Sequence, residues 1–214
     1  MNKFFTIILF SFLSNSLISQ NLNFDSIKKN VQDESSNFFY EKLMYKFKFD
    51  PTSLSDEELQ NLYYGKYYSK YNAMELDFDY LDCTGYFSKG NFKKAIVSGE
   101  KFLQKDPTNV EVIAIMQISY SKKDKSSDKN ILYTNQLKVL TDCILKSGDG
   151  KTKETSYLVT SVGEEFLISD LLGKNIRRFQ RRSIMQKDGV VDEFSRGDEK
   201  IYFKVLYNTE KYKL

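Results

Sequence analysis

The chain of 214 residues has no histidine and no tryptophan, two cysteines and two prolines. Without histidine it lacks the usual acid/base near neutral pH, the commonest zinc ligand, and every Ser-His or Cys-His catalytic pair. No Walker phosphate loop, dinucleotide fingerprint or exposed-nucleophile motif is present. The Gly85 to Gly90 stretch is no phosphate loop, because no strand precedes it. Cys83 and Cys143 fall on the apolar sides of predicted helices. Two readings stay open for them, a disulfide or buried free thiols, since a bridge needs a Cα separation that spacing alone does not supply.

Charge of one sign is also missing: 32 Lys and Arg stand against 29 Asp and Glu. This near balance gives no ground for a polyanionic partner, and nucleic acid is not expected. Beyond the first residues no apolar run reaches the roughly 18 residues of a membrane helix, so no integral membrane segment is expected after processing.

Met1-Asn2-Lys3 carries one positive charge, and Phe4 to Leu13 is an apolar run too short to span a bilayer. Small and polar residues follow, with Ser19 just before Gln20. The layout predicts a signal peptide over residues 1–19, cleaved after Ser19. No cysteine stands at the cleavage point to carry a lipid. The expected product is periplasmic or secreted.

The mature chain divides by hydrophobic period. Over residues 20–149 the period is helical. Phe24, Ile27 and Val31 mark a first helix, and Phe39, Leu43 and Phe47 a second that ends at Asp50-Pro51. Ser55 and Glu58 form a capping box flanked by Leu54 and Leu59, and open a third helix that runs into the tyrosine-dense stretch Tyr63–Tyr71. That stretch reads either as a stacking platform for sugars or bases, or as helix packing with an aromatic connection, and packing is favoured.

From Leu81 to Lys122 the sequence reads helix, turn at Gly90-Asn91, helix, turn at Pro107, helix. Ala95 and Gly99 share a face and invite close helix approach. Thr108 and Glu111 read as a second capping box. The helix after them is apolar on most sides and should be central. Lys122 to Lys129 reads as a solvated loop. Tyr133, Leu137, Leu140 and Ile144 mark one more helix, with Gly148 expected as its left-handed stop.

Over residues 150–214 the period becomes two. Five strands are expected, Tyr157–Val162, Glu165–Leu171, Phe179–Met185, Val190–Phe194 and Lys200–Tyr207, with Asp188-Gly189 as a hairpin turn. The expected fold class is therefore α+β. A helical half packs on an antiparallel β meander that keeps one face toward water, and the two halves form one compact unit.

Three clusters are candidate sites. Asp142, Asp149 and Gly150 lack the spacing of a calcium loop and read as a turn. Glu164 and Glu165 would be a carboxylate pair for glycoside hydrolysis, but on a strand adjacent residues point to opposite faces. Arg177, Arg178, Arg181 and Arg182 read as a charged edge strand, with an anionic glycan or lipid headgroup as the alternative use. No catalytic, cofactor-binding or metal residue is assigned, and no cofactor is expected.

Tyr86, Gly90, Ala95 and Pro107 stand where a tetratricopeptide hairpin places its aromatic, turn glycine, small crossing residue and closing proline, so the helical half is tetratricopeptide-like. It resembles one such hairpin rather than an array, and Gly99 stands where the repeat has a bulky ring. The order YEKLMYKF, LSDEELQNLYYGKYYSKYN, GYFSKGNFKKAI, DPTN, ILKSGDG, GEEFLI and IYFKV resembles the domain-of-unknown-function family numbered 4919, over about Phe39 to Tyr207. Lys204 stands where that resemblance leads one to expect Asn. The resemblance implies an exported protein of Bacteroidota with a helical half joined to a β half, and it carries over no catalytic residue. Together these features point to a non-catalytic module that binds an envelope protein or peptide in a groove of the helical half, with the sheet closing one side. The alternative is a carboxylate-dependent hydrolase or carbohydrate-binding protein of the envelope.

Overall fold

The computed structural model describes residues 22–71 and 77–207. The expected signal peptide and its cleavage point lie outside the described residues. The helices are α1 Phe24–Gln32, α2 Tyr40–Phe49, α3 Asp56–Gly65, α4 Phe78–Ser88, α5 Phe92–Lys105, α6 Val110–Lys123, α7 Asp128–Leu145 and α8 Val162–Leu171. The strands are β1 Tyr157–Val159, β2 Gln180–Gln186, β3 Gly189–Arg196 and β4 Glu199–Leu206.

Local chemistry sets most helix starts. Asn23, Ser55, Asn91 and Ser127 each accept an N–H of the first turn, which satisfies one of the four donors a helix N-terminus leaves open. At Ser55 the full box forms, with the Glu58 carboxylate accepting the Ser55 N–H at 2.8 Å. Leu54 and Leu59 are both buried beside it. At α6 the cap is Asn109, whose side chain accepts the Val112 N–H at 3.0 Å, and not the expected Thr108. Thr108 is fully buried and turns toward Asp106 instead. Helix α7 stops at Leu145 with Lys146 as its cap, and Gly148 is not the expected left-handed stop; the left-handed glycine is Gly150, with φ +64°, in the turn beyond. Gly148 is needed for space, because a Cβ there would collide with the Thr155 and Ser156 carbonyls.

Helices α4 to α7 pack each on the next, and α4 also touches α6. Gly99 makes this possible: a Cβ there would run into Met116 of α6, with the Cys83 thiol of α4 3.1 Å away. Helix α6 is central as expected, with Val110, Val112, Ile113, Ile115, Met116 and Ser119 buried. Cys83 and Cys143 are both buried free thiols, and burial pushes each pKa up to about 12, which removes thiolate reactivity.

The β half differs from the expected meander in three ways. Strands β2, β3 and β4 do form an antiparallel meander, but β1 joins its far side parallel to β4, in the order β1-β4-β3-β2. The expected strand Glu165–Leu171 is the helix α8. It starts on a capping box in which Ser161 accepts the Glu164 N–H and Glu164 accepts the Ser161 N–H. The central strands β3 and β4 are buried along most of their length, so the sheet does not alternate between core and water. Among the described strands only the edge strand β2 is open to solvent along its length.

Candidate functional site

Two places in the fold concentrate chemistry. The first lies between α8 and the inner face of the sheet. The capping box that starts α8 sends the next residue, Glu165, inward, where its side chain is 0% exposed. In the β3 register Asp192 stands opposite Ser183 and Phe203, on the same inner face, and it is also 0% exposed. Asp192 accepts from Arg181 at 2.6 Å and from the Ser183 hydroxyl. Glu165 has no hydrogen-bond donor among the described residues, and the Arg181 guanidinium stands 3.6 Å away.

Two carboxylates are both acceptors, so a bare pair in contact would repel. A proton on Glu165 resolves this by turning it into a donor to Asp192. Burial, then the hydrogen bond to Asp192 and its charge, push the Glu165 pKa up to about 9. For Asp192 burial acts upward, but the hydrogen bonds from Arg181, Ser183 and Glu165 outweigh it and hold the carboxyl below its ordinary value. At neutral pH the cluster therefore carries one proton, one negative charge and one guanidinium. A glycosidase needs its carboxyls about 5 to 10 Å apart with a sugar between them. Here neither side chain reaches solvent, so no room is left for a sugar between them, and Arg181, near both, ties helix to sheet.

The neighbouring carboxylates are occupied as well. Glu164 accepts from the Tyr63 hydroxyl at 2.7 Å, the Thr160 N–H at 2.6 Å and the Ser161 N–H at 3.1 Å. Burial, with the Glu164 charge next, raises the Tyr63 pKa well above its ordinary value, so the phenol stays a donor. Tyr64 donates to the Leu158 carbonyl, and Tyr67 to those of Thr160 and Leu206. The tyrosine-dense stretch thus bolts the helical half to the β half. Tyr63 and Tyr64 are fully buried and form no stacking platform.

The arginine cluster splits. Arg177 and Arg178 lie in a 3-10 turn, where Arg177 pairs with Asp170 at 3.0 Å. Arg181 and Arg182 lie on β2, which is the charged edge strand that was expected. Asp142 pairs with Lys138 and Asp149 with Lys151, and among the described residues no acidic cluster could hold a metal.

The second place is a groove between the C-terminal ends of α2 and α5 and the N-terminal half of α7. It consists of two adjoining hollows of about 390 and 370 Å³ that share Lys48, Phe49, Lys129 and Leu132. Phe49 is 71% exposed, Ile131 51%, and Tyr45, whose ring lies 4.7 Å from that of Phe49, 65%. Glu100, Asp128, Lys129 and Lys48 form a mixed-charge rim. No strand lines this groove, so the sheet does not close it as expected. Phe49 and Ile131 carry a readable signal: each is a large apolar residue off the buried stripe of its helix.

An α+β chain with, among the described residues, eight α-helices and a four-stranded mixed sheet, its buried carboxylates serving as internal ties, is the class of protein these features define. Residues 25–213 match the family described as Domain of unknown function (DUF4919), and the chain belongs to that family. No curated protein and no solved structure matches the chain. Among the described residues, no helix is long and apolar enough to cross a membrane.

Proposed function

We propose that the protein is an exported, non-catalytic binding module that holds a peptide segment of an envelope partner in the groove between α2, α5 and α7. The exposed Phe49, with Tyr45 and Ile131 around it, carries this reading. Large apolar side chains seldom gather on a monomer surface without a use. The rim supplies both signs of charge, and Lys48 has no carboxylate partner among the described residues. The occupant is thus a short segment with one large apolar side chain for the floor and an acid within reach of Lys48. The successive packing of α4 to α7 supports a tetratricopeptide-like use of helical hairpins as a rigid scaffold, with residues 20–149 and 150–214 in one unit. Export rests on the first 19 residues.

The hydrolase alternative loses its support from the sealed state of Glu165 and Asp192. The carbohydrate alternative loses its own from the burial of Tyr63 and Tyr64. The test is selection of peptides from a random library on the mature protein, followed by binding to a Phe49→Asp, Ile131→Asp variant. Selected peptides should share an apolar anchor and lose at least about tenfold in affinity, while the unfolding midpoint stays put. Selected peptides that bind the variant equally well would refute the groove.

A further inference from the structure

Among the described residues strand β2 has a neighbour on one side only, and its seven residues run without a bulge or a proline. Its hairpin to β3 closes through the two residues Lys187 and Asp188, which makes Gln186 and Gly189 a hydrogen-bonded pair. Alternation along an antiparallel ladder then turns the N–H and C=O of Arg181, Ser183 and Met185 toward the open side. An open row of backbone donors and acceptors is a template for another strand.

The side chains restrict which strand fits. Gln180–Gln186 contains two arginines and no acid. Arg181 is already engaged by Asp192. Arg178, Arg182 and Lys187 are exposed and have no carboxylate partner among the described residues. Pairing with a second copy of β2 would bring two such sets of cations together. Met185 is 78% exposed and offers an apolar contact beside them.

We infer that the open edge of β2 receives an extended acidic segment of a partner protein as a fifth strand. The charges that discourage self-pairing are the same ones that select this partner. Main-chain hydrogen bonds hold the segment, and Arg178, Arg182 and Lys187 read its acids. This site is separate from the groove, and either can exist without the other.

The test is amide hydrogen exchange on the mature protein with an acetylated peptide of alternating Val and Glu, against the matching Val and Lys peptide. The acidic peptide should slow exchange at Arg181, Ser183 and Met185, less so as salt rises. Met185→Pro removes one outward N–H at a position an edge strand tolerates, and should weaken the acidic peptide about tenfold. Arg182→Glu leaves the backbone intact and should weaken it several-fold. Unchanged exchange with either peptide would overturn the proposal, as would equal slowing by the Val and Lys peptide. Slowing that grows with protein concentration alone would overturn it in favour of a second copy.

Discussion

Replacing Glu165 by Gln should change how stability depends on pH. In the folded protein the Glu165 carboxyl is held protonated up to about pH 9 by burial and by Asp192. In the unfolded chain it ionises near 4.5. The folded state therefore binds one proton more than the unfolded state throughout that interval. Stability must fall as pH rises through it, because each additional pH unit favours the form that has released the proton. One proton corresponds to about 1.4 kcal/mol per pH unit, or about 2.7 kcal/mol between roughly pH 6 and pH 8. Asp192 works in the opposite direction, since its folded pKa is lowered. Its contribution is present above its ordinary value of 3.8 and is lost as pH falls, which lies below this window.

Gln is nearly isosteric, its amide donates to Asp192, and it has no proton to lose. Urea unfolding of both proteins at several pH values, extrapolated to water, gives the comparison. The difference between the two isolates this one group from every other titration in the chain. The curves should converge toward acid and separate toward alkali, with Glu165→Gln the more stable protein at the alkaline end. Parallel curves, or a separation that grows toward acid, would refute the protonated pair.

Two further outcomes follow from the packing and from the first residues. Tyr63→Phe removes one of several donors to Glu164 and should destabilise by about 1 kcal/mol, whereas Glu164→Ala strands the half-buried Thr160 and buried Ser161 amides and should destabilise by about 3 kcal/mol, both read from urea midpoints. N-terminal sequencing of the protein recovered from the producing cell should begin at Gln20; a chain that begins at Met1 would remove the export reading.

Much of the helical half is legible along the chain. The Ser55 and Glu58 box, the turn at Gly90-Asn91 and the apolar stripes of α1, α2 and α7 are local features, and each appears where spacing put it. The three-stranded meander is local too, because short turns join neighbouring strands, at Gly197-Asp198 and, one residue before the expected Asp188-Gly189, at Lys187-Asp188. Helix α8 reads as a strand by its apolar density although its start is written out: Ser161 and Glu164 have the same spacing as Ser55 and Glu58. The apolar residues that follow are dense enough to fit a buried strand or a short helix, and period alone does not separate the two.

The sequence by itself determined the missing histidine chemistry, the helical and β halves, and the charged character of β2. Tertiary structure alone decided the parallel partner of β4, which is some 45 residues away in the chain by the register of Tyr157 with Phe203. It also decided which acids are buried together and which aromatic rings stay outside. Glu165 and Asp192 share Arg181 only because α8 lies across the inner face of the sheet, and Phe49 and Ile131 line one hollow only because α2 ends beside the start of α7. Helix starts and hairpins depend on atoms a few residues apart. Protonation and grooves depend on what the fold brings near, and spacing carries no record of that.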